Sequence, residues 1–338
     1  AGWPDALGIR ARRRFRKERK PRVPDAMHDT TVMRAIGDRL GLGVYFFSDD
    51  FRHFFYQLRL AVRCLWYAGI YLVDPTTGLG LIIVELALAM GFTPASNIAQ
   101  MICDAILYIF DNMMEAAEAA AAESEHLLLE IMAGRAARHG AAHARPWTSR
   151  GYTDDCLLII LGAVRFARAT VVWRILLRTA RIQGARCEKR QGGTAVLFLG
   201  VTLLATAIAA LVPEHKLSRA LLGLTRLLAG ELAKETATRL FGLLVHLSFL
   251  SVTGRATTAG MWRCLRHHRR DPILLYPEEE KKAERWVRRL RTSHAAPMDV
   301  AMRRRQRGRA PPQTAVSLSG QSDAFVTRDT GEAGAGGY

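Results

Sequence analysis

Two pairs of adjacent aspartates stand out in a strongly basic chain: Asp49-Asp50 in SDDFRHFFYQL and Asp154-Asp155 in GYTDDCLLII. The second pair reads as the mouth of a strand-turn-strand unit, and the first as the end of an earlier strand. If those strands are neighbours in one sheet, the carboxylates come within a few ångströms of one another. A carboxylate cluster in a half-buried cleft is stable only with cations to neutralise it. Mg²⁺ is the fitting ion, because oxygen ligands from one or two carboxylates plus substrate phosphates are its usual environment. Two such ions about 3.5–4 Å apart clamp the attacking and leaving oxygens of phosphoryl transfer. The bland alternative is an exposed acidic turn that holds nothing.

The elements that must position these groups follow from periodicity. Helical spacing from Asp29 to Leu42, ended by Gly41 and Gly43, precedes a strand from Val44 to Phe47 that runs into Asp49 and Asp50. The segment Gly91 to Asp111 places Thr93 and Pro94 at a helix start and Ile98, Met101, Ile102, Ala105 and Ile106 at helical intervals, which predicts a helix under the sheet. Met113 to Met132 is rich in alanine and glutamate and reads as a helix-prone surface excursion that returns through Pro146; no function is legible in the insertion 113–150. Val164 to Arg181 is again amphipathic.

The apolar run Thr194 to Val212 approaches the ~20 residues of a membrane span. Gly200, the β-branched residues and the helix start after Pro213 favour a hairpin of two buried strands, turning at Leu203-Leu204-Ala205. Lys216 to Leu250 reads as one or two packed helices.

The chain has 338 residues, enough for two domains, with 48 Lys and Arg against 31 Asp and Glu for a net charge of +17. That balance points to a polyanionic partner, most simply nucleic acid. Arg10 to Arg22 is a basic block, either a flexible arm or a surface for phosphates. Cys64, Cys103, Cys156, Cys187 and Cys264 are scattered singly, without zinc-site spacing, which suggests a reducing compartment. Without a leader pattern the expected location is nucleus or cytoplasm, not secreted, and the missing Met suggests a fragment.

The order of the pieces carries a resemblance. SDDFRHFFYQL resembles the first palm motif of reverse transcriptases, with Asp50 as metal ligand and Phe55 as the aromatic; Asp49 with Phe54 is the alternative register. MGFTPASNIAQ looks like the family's loop and helix that contact template and nucleotide, with Gly91 and Gln100. GYTDDC looks like the catalytic hairpin, and ARCEKRQGGTAVLFLGV like the Lys-bearing loop and primer grip, with Lys189 and Phe198-Leu199-Gly200. LVPEHKLSRALLGL and TRLFGLLVHLSFL resemble thumb helices, and AERWVRRL the connecting segment. From about Leu42 to Leu290 the chain resembles reverse transcriptases of retrotransposons, the DIRS-like lineage among them. TRDTGEAGAGGY is similar to the first strand of a ribonuclease-H-like domain, with Asp329 in the place of its first acidic ligand; its remaining carboxylates are missing, so no ribonuclease H activity is expected.

The resemblance implies an α+β fold: a polymerase palm with an antiparallel sheet, partial fingers and a helical thumb. The implied organisation is a basic arm at 1–28, partial fingers and palm at 29–190, primer grip and thumb at 191–250, a connection at 251–310, and a linker with the truncated ribonuclease-H-like start at 311–338. The implied activity is RNA-directed DNA polymerisation on an RNA or DNA template with primer, consuming deoxynucleoside triphosphates, with no membrane partner. Asp50, Asp154 and Asp155, with the backbone carbonyl of Phe51, would hold two Mg²⁺ ions, with Mn²⁺ as the substitute. Lys189 would neutralise or protonate pyrophosphate, Arg52 would reach a triphosphate oxygen, and Phe55 would reject ribonucleotides. Gly91, Gln100, Tyr152, Phe198, Leu199 and Gly200 would contact template, nucleotide or primer.

Three departures stand beside it. Fewer than fifty residues precede Asp50, short for complete fingers; Met90 stands where relatives carry polar residues or proline; and the expected hairpin turn is apolar. They leave a second reading, a catalytically inactive nucleic-acid-binding remnant of a retroelement. A third is a membrane protein built around Thr194 to Val212.

Overall fold

The computed structural model describes residues 20–90, 94–121, 132, 134, 145–186, 189–250, 254–267, 271–292, 295–297, 324–326 and 333–335. The fold is α+β, built around an antiparallel sheet. Helix α1 (Val23–Leu40) leads into strand β1 (Val44–Asp50), and a short helical turn at Phe54–Gln57 follows. A hairpin of β2 (Gly69–Val73) and β3 (Gly80–Val84) comes next, and then the long helix α2 (Ala95–Ala120). Strands β4 (Trp147–Tyr152) and β5 (Asp155–Leu161) form the second acidic hairpin, followed by helix α3 (Ala163–Thr179).

The central sheet has the order β4-β5-β1-β6, where β6 is Gln191–Gly193, and every pairing is antiparallel. Alternation along β1 and β5 separates two cores. Val44, Phe46, Leu157, Ile159 and Leu161 face α1 and the second sheet; Phe47, Leu158 and Ile160 face α2 and α3. Trp173 of α3 packs edge-on to Phe47 and stacked on Phe51. The sheet is therefore covered on both sides for most of its length, which makes its acidic end the place where polar groups emerge.

The second sheet runs β10-β9-β8-β7, from β7 (Ala195–Phe198), β8 (Val201–Leu204), β9 (Ala209–Leu211) and β10 (Ala295–Pro297). This corrects the two-strand reading of Thr194 to Val212: the run makes three short strands, and Leu203-Leu204 lie inside β8. The tight turn is Leu199-Gly200, with φ of 50° and 69°, the backbone twist that two-residue hairpins favour. No helix among the described residues is long and apolar enough to cross a membrane.

Among the described residues of the C-terminal half lie the helices α4 (Glu214–Leu228), α5 (Lys234–His246), α6 (Gly254–His267) and α7 (Pro277–Thr292). Their apolar stripes, including Leu224, Phe241, Trp262 and Trp286, merge with the core under the second sheet.

Other boundaries also move. Helix α1 begins at Val23, behind Pro24, and so straddles the expected border at 28/29. Strand β6 belongs to the central sheet, although it follows the 190/191 border. Helix α2 runs without a break to Ala120, so the first part of the expected excursion continues the helix. The β2–β3 hairpin pairs only with itself among the described strands, and its apolar side chains, Tyr71 and Ile82 among them, are exposed. Gly91, Cys187 and Asp329 lie outside the described residues.

Candidate active site

The antiparallel register puts Asp50, the last residue of β1, directly opposite Asp155, the first residue of β5. Directly opposed residues share a sheet face, so the two carboxylates emerge on one side. Asp49 is paired with Cys156 and emerges on the other. The two aspartates have different surroundings: Asp49 accepts hydrogen bonds from Trp173 Nε1 at 2.9 Å and from Arg190 Nε at 3.0 Å, fully buried, while Asp50 keeps partial access to solvent. Phe54 is buried in the core and Phe55 is half-buried.

Asp154 lies in the two-residue turn between β4 and β5, and its carbonyl accepts the Phe51 N–H at 3.0 Å. This bond ties the end of β1 to the turn. Thr153, beside it, adopts the left-handed region at φ 59°, uncommon for a β-branched residue and retained only where surrounding contacts impose it. Gln100, on α2, supplies such contacts. Its Oε1 accepts the Thr153 N–H at 2.8 Å, and its Nε2 donates to the Gly151 carbonyl at 2.9 Å. Helix α2 comes this close because position 151 is glycine: a Cβ there would lie 2.3 Å from Cys103 Sγ and 2.8 Å from Leu107 Cδ1.

The electrostatics are those of crowded like charges. Burial, then the negative charges of Asp154 and Asp50, push the Asp155 carboxyl up to about 6, against a partial offset from Lys189. Asp154 is raised as well, first by burial and then by Asp50, with its own backbone N–H, Lys20 and Lys189 opposing. Lys189 Nζ stands 3.5 Å from Asp50 Oδ2 on an exposed side chain, too loose to hold the charge fixed.

Asp50 and Asp154 open into a cleft of about 510 Å³ whose other walls include Arg52, Phe55, Met90, Arg186 and Lys189. An acidic end facing a basic wall is the arrangement that a cation-bound phosphate ester would bridge. Among the described residues no three His, Cys, Asp or Glu side chains close into a ready-made metal cluster. The donor chemistry nonetheless fits Mg²⁺: hard carboxylate oxygens, mutually repelling, at the edge of a cleft that can admit phosphate oxygens to complete the shell.

Several expected contacts sit elsewhere. Gln100 has no exposed surface, so it holds the hairpin rather than lining a substrate groove, and Phe198 is core. Tyr152 is half-buried with Lys20 Nζ 4.9 Å above its ring, and Lys20 also donates to Ser96 Oγ. Leu199 and Gly200 are partly exposed at the hairpin tip, where Lys216 Nζ donates to the Gly200 carbonyl at 2.9 Å. The site also uses residues that sequence reasoning missed. Gln57 donates to the Gln183 carbonyl and accepts the Gln183 N–H, which ties the turn after β1 to the segment after α3. Trp173, Arg190 and Arg186 were invisible because helical periodicity and a basic run explain them without a partner across the sheet.

No protein-family model matches the chain, and no curated protein does. Among solved structures it is similar to a foamy viral protease-reverse transcriptase in complex with double-stranded DNA, at 13% identity and a TM-score of 0.47. The match covers 75% of this chain and 36% of that one, so the chain spans about a third of that protein's length.

Proposed function

We propose that the chain is an RNA-directed DNA polymerase that extends a primer on an RNA or DNA template. The observation that carries this is the juxtaposition of Asp50 with Asp155 across β1 and β5, with Asp154 in the turn beside them, where Asp50 and Asp154 share a cleft with Arg52, Arg186 and Lys189. The sequence pattern of palm motifs in order supports the same reading, as does a net charge of +17 toward a polyanionic partner.

In this reading Asp50, Asp154 and Asp155, with the Phe51 carbonyl, hold two Mg²⁺ ions, or Mn²⁺ in their place. Bound there, Mg²⁺ supplies Lewis acidity toward the primer 3′-hydroxyl and the departing pyrophosphate. The 3′-oxygen bonds to the α-phosphorus of the incoming deoxynucleotide, and the bond from that phosphorus to the α,β-bridging oxygen breaks. Arg52 and Arg186 meet the triphosphate oxygens from the basic wall, and Lys189 stands where it can give a proton to the leaving pyrophosphate. Phe55, at the side of the same cleft, excludes a ribose 2′-hydroxyl. The Leu199-Gly200 tip is the surface offered to the primer strand, and Tyr152 is assigned to the template and nucleotide side.

The test is extension of a labelled primer on an RNA template with Mg²⁺ or Mn²⁺, for the wild-type chain and for Asp50→Asn, Asp154→Asn and Asp155→Asn. Extension that the substitutions abolish supports the proposal. Retained binding of primer-template with no extension by the wild-type chain would sink it in favour of the inactive nucleic-acid-binding remnant.

A further inference from the structure

Both hydrogen-bonding groups that the Gly151–Asp154 turn aims at α2 are met by one side chain. The Gly151 carbonyl and the Thr153 N–H flank Tyr152, immediately before the left-handed Thr153 that leads into Asp154 and Asp155, and the Gln100 amide satisfies both, at 2.9 and 2.8 Å. A backbone N–H requires an acceptor and a carbonyl requires a donor, so the orientation of the amide is dictated by its partners. Nε2 has a second acceptor in Asp104 Oδ1 at 2.8 Å, one turn along α2. Gln100 is fully buried and water cannot replace these bonds.

We propose that Gln100 is the positioning residue of the acidic hairpin: it locks Thr153 in its left-handed conformation and thereby sets the approach of Asp154 and Asp155 to Asp50 for metal capture. This rests on the polymerase reading for its catalytic consequence, but not for the clamp itself. Only glutamine has the right chemistry at this length. Glutamate keeps the acceptor for Thr153, loses the donor to Gly151 and sets a carboxylate against Asp104. Methionine keeps the volume and loses both bonds. Asparagine is one methylene short.

Amide hydrogen exchange on the metal-free protein reads the clamp directly. In wild type the Thr153 N–H is expected to be protected, and Gln100→Met should speed its exchange about tenfold or more while the amides of β1 and α3 keep theirs. Primer extension then reads the consequence. Gln100→Met should lower kcat about 10- to 100-fold and raise the half-saturating Mg²⁺ concentration, with KM for primer-template unchanged. A merely structural residue would reduce the active fraction without moving the Mg²⁺ dependence. Gln100→Leu, which also loses both bonds, supplies the same two readouts if the Met variant does not fold. Unchanged exchange at Thr153, or a wild-type Mg²⁺ dependence in both variants, overturns the proposal. Loss of Thr153 protection in a chain whose wild type extends no primer leaves the clamp standing and removes the polymerase reading.

Discussion

Asp50 and Asp155 are directly opposed residues on adjacent antiparallel strands, like charges in the position where cross-strand pairing is destabilising. Their neighbours Asp49 and Cys156 occupy the other face, where Asp49 is neutralised by Arg190 and Trp173. One acidic pair in sequence is thus split into a structural carboxylate and one that faces the cleft with Lys189 as a loose partner.

That split predicts opposite phenotypes for adjacent substitutions. Asp49→Asn weakens a buried ion pair and should lower the stability of the fold by about 2–4 kcal/mol, measured by urea unfolding. Asp50→Asn should leave stability unchanged or raise it, and should abolish primer extension. Equal loss of stability in both variants would contradict the facing assigned to the two side chains.

Stability should also depend on pH through Asp155. Its folded-state value of about 6 lies above the ordinary 3.8, so the folded chain holds the proton more tightly than the unfolded chain does. The charge penalty is absent well below pH 4, grows as pH rises through 6 and is complete above it. Asp155→Asn removes that penalty: the metal-free protein should gain on the order of 2–3 kcal/mol at pH 8 and almost nothing at pH 4. Parallel pH profiles for wild type and variant would refute the crowding.

Divalent cations should reverse the same repulsion. Millimolar Mg²⁺ or Mn²⁺ is expected to raise the melting temperature at pH 8, where Asp155 is charged, and to raise it much less near pH 4, where Asp155 holds its proton. The shift should vanish in an Asp50→Asn, Asp155→Asn double variant. A shift of equal size in that double variant would place the ion elsewhere.

Phe55 lines the cleft beside Asp50. Phe55→Val should weaken discrimination against ribonucleotides by about tenfold or more, from the ratio of kcat/KM values, with deoxynucleotide incorporation changed less. An unaltered ratio would remove Phe55 from the sugar's surroundings.

Gly200 turns the β7–β8 hairpin at φ 69°, and a Cβ there would lie 1.9 Å from Lys216 Nζ. Gly200→Ala should therefore cost about 1–2 kcal/mol in backbone strain and displace Lys216 from the Gly200 carbonyl. Thermal unfolding that matches wild type would show that the turn relaxes without cost.

Much of this was legible in the residues. Short apolar runs bounded by acid, in VYFFSDD and DCLLIIL, read as buried strands ending or starting in acid, and the period of ASNIAQMICDAILYIF shows a helix with one apolar face. Local preference speaks clearly there because side-chain period and burial agree. It failed at Thr194 to Val212, where an all-apolar run has no period, and the turn position was set by the two positive-φ residues Leu199 and Gly200 rather than by polarity. It also failed at Gln100, whose spacing from Gly91 suggests a surface contact but whose amide is committed to a hairpin 51 residues away.

By itself the sequence determined which residue types were available: three acidic groups near strand ends, a basic wall, and helices with apolar stripes to cover a sheet. Only the tertiary structure decided which carboxylates meet. Strand register is a long-range choice, and a slip of one residue in β1 would have turned Asp49 toward the cleft and Asp50 into the core. The burial of Phe54, the Trp173 and Arg190 bonds to Asp49, and the Gln100 amide at the turn close off that slip, and no local pattern contains them.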